Sequence, residues 1–175
     1  MNRYVPKPTK EDLLWWVIPG VLAGMPMPFI HPERRMNNGG ALMAYDDDLP
    51  ALHASGVRAV VSLLNISTDA PVYESAGFAF QCLPVPDGCG PSLEQATVFV
   101  RFMGEQRAQR HPVGVHCEAG LGRTGTMIAS YLISQGESVE AAIARVRAAE
   151  RVAIETPRQL RFLEDYAQEL RTHAS

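Results

Sequence analysis

The run Val113-Gly114-Val115-His116-Cys117-Glu118-Ala119-Gly120-Leu121-Gly122-Arg123-Thr124-Gly125 constrains this chain more than any other stretch. It begins as a short apolar segment, suited to a buried strand over Val113–Cys117. It then breaks into a loop with glycines at 120, 122 and 125. An apolar-periodic segment follows at once and reads as a helix over 123–135. Strand, glycine-rich loop and helix N-terminus together make an anion cradle. The loop N–H groups converge, and the helix dipole adds positive potential. On this reading the amides of Glu118, Ala119, Gly120, Leu121, Gly122 and Arg123 hold the oxygens of a phosphate.

A thiol opens this loop and a guanidinium closes it, which points to phosphate chemistry on sulfur. A protonated thiol is a poor nucleophile. Donors aimed at sulfur lower its pKa, in favourable sites to about 3.5–7.5. The loop amides, the helix terminus and the Thr124 hydroxyl are the donors available to Cys117. Arg123 offers a planar fork that grips two phosphate oxygens, which Lys cannot copy. His116 precedes the nucleophile, where its ring can order the loop through a bond to backbone.

A leaving alkoxide or phenoxide needs a proton. Asp87 lies in the turn-rich stretch Val85-Pro86-Asp87-Gly88-Cys89-Gly90-Pro91, directly after an expected strand. Taken alone, such an aspartate merely starts a turn. Beside a phosphate loop, it is a general acid for the first step and a base toward water in the second. Gly88 and Gly90 give that loop freedom to close.

His-Cys, five residues, Arg-Thr resembles the signature of cysteine-dependent protein-tyrosine and dual-specificity phosphatases. Within them the chain is most similar to small atypical dual-specificity phosphatases of the VHZ type. The likeness extends to Trp16–Gly24, to Gly56-Val57-Arg58 through Leu63, to Val85-Pro86-Asp87, to Thr126-Met127 and to Ile154-Glu155-Thr156 through Gln159. It implies Cys117 as nucleophile, Arg123 and Asp87 as its partners, and Thr124 stabilising the departing thiolate. It also implies no metal and no organic cofactor. Classical tyrosine phosphatases carry Gln-Thr-x-x-Gln where this chain has Glu155 to Gln159, and both glutamines there position the hydrolytic water. Gln159 matches the second. Glu155 departs at the first, as in the VHZ type, and either serves the site or caps the last helix. The implied substrates are phosphotyrosine proteins or peptides, with phosphoserine and phosphothreonine as further substrates. A phosphoinositide phosphatase is the rival enzyme, and a phosphate-binding pseudoenzyme the rival of another class. Lipid-directed relatives often carry Lys in the loop; Glu118 and Leu121 stand here instead.

Around this unit the pattern is α/β, a mostly parallel sheet with helices on both faces. Residues 1–12 read as a surface arm and 15–24 as a first strand and turn. The stretch 26–48 is rich in Pro, Asn-Gly-Gly and Asp, a loop insertion that either lines the site or lies free on the surface. Asp46–Asp48 is better suited to a solvated run or a helix cap than to a cation site. A short helix is expected over Tyr45–Ser55 and an apolar strand over Val57–Leu64. A polar connection with a helical turn follows over Asn65–Gly77, then a strand over Phe78–Val85. A helix over Ser92–Gln109 opens with a Ser92–Gln95 capping box. Helices over 138–149 and 157–171 finish the chain, with Ser138 and Pro157 at their starts.

At 175 residues the chain reads as a single domain, 1–175, able to bury a sizeable core. A net charge of −3 gives no nucleic-acid footprint. Three cysteines do not make a disulfide framework and suit a reducing, cytoplasmic setting. Cys82 is expected to pack unreactively, and Cys89 is the better redox candidate. Leu13–Ile18 is apolar but too short to span a bilayer, and Glu11 and Asp12 abut it; a core strand suits it better than a signal peptide. A monomer, without nucleic-acid or membrane partners, is expected.

Overall fold

The sheet is built, among the described residues, from five strands of four residues each. β1 (Trp15–Ile18), β2 (Leu22–Met25), β3 (Ala59–Ser62), β4 (Ala79–Cys82) and β5 (Val113–His116) form one sheet in the order β1-β2-β5-β3-β4. A computed structural model describes residues 14–28, 48–65 and 69–173. β2–β5, β5–β3 and β3–β4 pair in parallel, and only the edge strand β1 is antiparallel to its neighbour. The central strand, β5, is buried at every residue, including His116 at its end, as befits a parallel strand covered on both faces.

Side-chain alternation divides the core into two layers. Ala59 and Val61 of β3, Leu22 of β2, and Val113 and Val115 of β5 face a layer built from α3 (Leu93–Ala108), α4 (Gly122–Ser134), α5 (Val139–Ala149) and α6 (Pro157–His173). Val60 of β3 and Ala23 and Met25 of β2 face the opposite layer. Leu49 and Leu52 from helical residues 48–54 (α1) and Tyr73 from α2 (Asp69–Ser75) cover that side. The expected α/β architecture, with helices on both faces of a mostly parallel sheet, is therefore the one observed. α4 is its axis: every residue from Gly122 to Ile133 is buried. Burial of a side chain such as Ile128 or Leu132 contributes about 1.5–3 kcal/mol.

Two expectations change. The segment 15–24 is a hairpin of two strands, because Gly20 at φ +67° and the Val21 N–H to Ile18 C=O bond of 2.9 Å turn the chain back sharply. The connection 65–77 contains a true helix, α2, since Tyr73 is fully buried and stacks on Phe80 at 5.0 Å. Tertiary packing overrides its polar local sequence. Both caps read from sequence are present: Gln95 N–H donates to Ser92 Oγ at 3.1 Å with the reciprocal Ser92 N–H to Gln95 Oε1 bond at 2.9 Å, and Ala141 N–H donates to Ser138 Oγ at 3.2 Å. The surface arm and most of the 26–48 insertion lie outside the described residues.

Candidate active site

β5 lies between β2 and β3, so its C-terminal end opens where the chain diverges to both sides of the sheet. In parallel α/β sheets this is where ligands bind. Cys117 is the first residue past that end and is buried. Glu118 and Ala119 are exposed, Gly120 is buried, Leu121 is half-buried, and Gly122 begins α4.

The loop is braced from below and behind. Gly120 has φ +75°, and a Cβ there would stand 2.2 Å from the Met25 carbonyl oxygen. Only glycine lets the loop lie against the end of β2. Met27 N–H donates to the Glu118 carbonyl at 3.1 Å, a second tie to the same strand exit. The Gly125 N–H turns inward to the Leu121 carbonyl at 2.8 Å. No other hydrogen bond from a loop amide of residues 119–124 is made within the described residues. Those donors, at the N-terminus of a 13-residue helix, suit an anion.

His116 is buried beneath the loop. Its Nδ1 sits 3.0 Å from the Cys117 carbonyl and its Nε2 3.2 Å from the Tyr73 hydroxyl. A carbonyl only accepts, so Nδ1–H donates and Nε2 accepts from Tyr73 O–H. Burial lowers the His116 pKa to about 4, opposed in part by its bond to the Cys117 backbone. The ring is therefore neutral at physiological pH and orients the cysteine's backbone. Thr124 Oγ1 is buried and has no hydrogen-bond partner among the described residues. An orphaned hydroxyl in the first turn of α4 fits a partner supplied by sulfur or ligand.

Arg123 is buried but its fork reaches the next loop. Nη1 donates to the Val85 carbonyl at 3.2 Å, and Nη2 meets Asp87 Oδ1 at 3.1 Å. The aspartate and the signature arginine are thus brought together from opposite sides of α3.

The segment after α5 forms the remaining wall. A Cβ on Gly122 would lie 2.3 Å from Glu155 Oε2 and 2.8 Å from Gln159 Nε2, so both side chains end against the start of α4. Gln159 is buried, and its Oε1 accepts from the Glu155 and Thr156 amides at 2.7 and 3.1 Å. The Nε2 group is left facing Gly122. Glu155 is not the cap of α6. Thr156 is: its Oγ1 accepts from Gln159 N–H at 3.2 Å while Gln159 Oε1 accepts from Thr156 N–H. Thr-Pro-Arg-Gln is the same capping-box spacing as Ser92 to Gln95, a signal the sequence carries openly. Thr156 O–H also donates to the Gly88 carbonyl at 2.7 Å, a contact between distant loops that no local pattern reveals.

The other cysteines, Cys82 and Cys89, are both half-buried. Cys82 S–H donates to the Leu64 carbonyl at 3.3 Å, and burial, with the Asp69 carboxylate adding to it, pushes its pKa up. That suits packing rather than reactivity. Cys89 Sγ lies 3.9 Å from Arg158 Nη1. No described helix is long and apolar enough to cross a membrane.

Comparison with known proteins places the chain in a family and a fold. Residues 35–137 match the family model described as a polymorphic toxin system DSP-PTPase phosphatase (Tc-R-P). The zebrafish (Danio rerio) dual specificity protein phosphatase CDC14AB is 34% identical over 159 residues, 90% of this chain. The chain spans only 25% of that relative's length. Tk-PTP in its active form superposes with a TM-score of 0.70 at 28% identity, covering 89% of this chain and 96% of that one. PTPMT1 in complex with PI(5)P superposes with a TM-score of 0.67 at 24% identity, over 89% of this chain and 96% of that one, and shares the fold.

Proposed function

Because the chain belongs to the cysteine-dependent protein-tyrosine/dual-specificity phosphatase family, a family of phosphoric monoester hydrolases, we propose that it hydrolyses phosphotyrosine in proteins or peptides, and phosphoserine or phosphothreonine as further substrates, through a phosphocysteine. The observation that carries this reading is the 3.1 Å approach of Asp87 to Arg123, which puts a carboxyl group at the mouth of the phosphate loop.

Cys117 thiolate attacks phosphorus in line with the leaving oxygen, forming the S–P bond as the P–O bond breaks. The loop amides of residues 118–123 and the Arg123 fork hold the equatorial oxygens and their growing charge. Asp87 gives its proton to the departing oxygen. Water then attacks the thiophosphate. Asp87 takes a proton from it, Gln159 Nε2 orients it, and Glu155 borders its path. Thr124 O–H donates to the sulfur as the S–P bond breaks. His116, neutral and bonded to the Cys117 carbonyl, keeps the nucleophile's backbone in place. Every group in this scheme is a side chain or amide of the chain, so no metal or organic cofactor is assigned. The odd cysteine count favours action in the reducing cytoplasm.

A phosphoinositide substrate is the competing enzyme reading. Glu118, exposed on the loop, disfavours a headgroup carrying several phosphates. Turnover of a generic aryl phosphate, abolished by Cys117→Ser, tests the enzyme against a mere phosphate binder. A panel of phosphopeptides and inositol lipids decides between the substrates; faster hydrolysis of the lipids overturns the protein-directed reading.

A further inference from the structure

The loop bearing Asp87 does not hang free; it is seated on the first turn of α6. Three contacts make the seat. Thr156 O–H donates to the Gly88 carbonyl at 2.7 Å, the shortest of them. Gly90 lies under Phe162, where a Cβ would come within 2.5 Å of that side chain's own Cβ. Arg158 Nη1 approaches Cys89 Sγ at 3.9 Å. Phe162 is itself fixed by stacking on Tyr166 at 5.7 Å. The half-buried Thr156 hydroxyl has one proton and spends it on Gly88, while its lone pair takes the Gln159 N–H at 3.2 Å. One hydroxyl therefore joins the residue next to Asp87 to the residue whose amide faces Gly122.

We propose that Thr156 is a positioning residue for both chemical steps: its hydroxyl latches the Asp87 loop over the phosphate loop and holds Gln159 in register with it. The assignment rests on the reading of Asp87 as the general acid. Its consequence is specific. Without the latch the acid is misplaced while the thiolate and the oxyanion cradle are untouched. In the first step leaving groups that need a proton suffer and those that leave unaided do not, while the second step, which uses Asp87 and Gln159 whatever the leaving group, slows alike for all.

The test measures kcat and KM on aryl phosphates of graded leaving-group basicity for the full chain and four variants. Thr156→Val removes the hydroxyl at nearly constant shape. Thr156→Asp keeps an acceptor for the Gln159 N–H, and so the helix cap, but has no proton for Gly88. Thr156→Ser restores both bonds. Asp87→Asn reports on the acid itself. We expect Val and Asp to lower kcat/KM, which reports the first step, about tenfold on the most basic leaving groups, the scale of one lost hydrogen bond, and less than about twofold on the least basic. Ser returns the native profile. An equal fall in kcat/KM across the series, or none, in a Thr156→Val or Thr156→Asp protein that melts cooperatively overturns the latch. If Asp87→Asn itself lowers kcat/KM for all leaving groups alike, the acid assignment falls and the latch with it. If Asp87→Asn is selective and the Thr156 variants are not, only the latch falls.

Discussion

Asp87 Oδ1 lies 3.1 Å from Arg123 Nη2, and the two side chains are 90% and 9% exposed. The carboxylate thus occupies one prong of the fork that the proposed mechanism assigns to the substrate's phosphate. A nearly buried guanidinium meets an almost fully solvated anion, so the pair is weak, of order 0–1 kcal/mol.

Weak competition is measurable. Asp87→Asn should bind vanadate or inorganic phosphate up to about fivefold more tightly, the equivalent of that pair. The same variant should lose about a hundredfold in turnover of poor leaving groups. Isothermal titration and steady-state kinetics read the two effects. Weaker oxyanion binding by the variant contradicts the competition.

Gly120 and Gly122 predict different failures. At Gly120 the backbone is left-handed, and a Cβ meets the Met25 carbonyl and the Pro26 nitrogen, neither of which can move aside cheaply. Gly120→Ala should destabilise the fold by about 2 kcal/mol or more and lose oxyanion binding. At Gly122 a Cβ meets only the tips of Glu155 and Gln159. Gly122→Ala should keep the fold and the first step, push Gln159 away, and let the phosphoenzyme accumulate as a burst followed by slow release. Gln159→Ala should show the same burst. A linear progress curve in both variants removes Gln159 from the second step.

His116 gives the fold an acid limit. Its folded pKa, about 4, lies below the ordinary imidazole value of 6.5 because the ring is buried. Between these values the unfolded chain binds more protons than the folded one, so stability falls as pH drops from about 6.5 toward 4. It is unaffected by this group above that window. The loss approaches about 3 kcal/mol. Denaturant midpoints between pH 7 and 4.5 should fall more steeply for the native chain than for His116→Gln. Equal slopes contradict the assignment.

Much of this was legible in the sequence because the determinants are local. The Val113–Gly125 run specifies strand, loop and helix through apolar spacing and glycines, and the Ser92 and Ser138 caps follow from three-residue spacings. What escaped is non-local. α2 forms because Tyr73 finds Phe80 and His116, contacts invisible in its polar local sequence. β2 and its turn are not separable in the sequence, because four residues carry little periodicity. The role of Thr156 was half legible: its capping box is a pattern in the chain, but its bond to Gly88 spans 68 residues and exists only in the folded molecule.

The central claim is that phosphorus passes through sulfur. Rapid acid quench during turnover of an aryl phosphate, followed by peptide mass analysis, should find one phosphoryl group on Cys117, more abundant in Gln159→Ala and absent in Cys117→Ser. Steady turnover with no phosphorylated Cys117 at any quench time, in either the native chain or Gln159→Ala, contradicts the account.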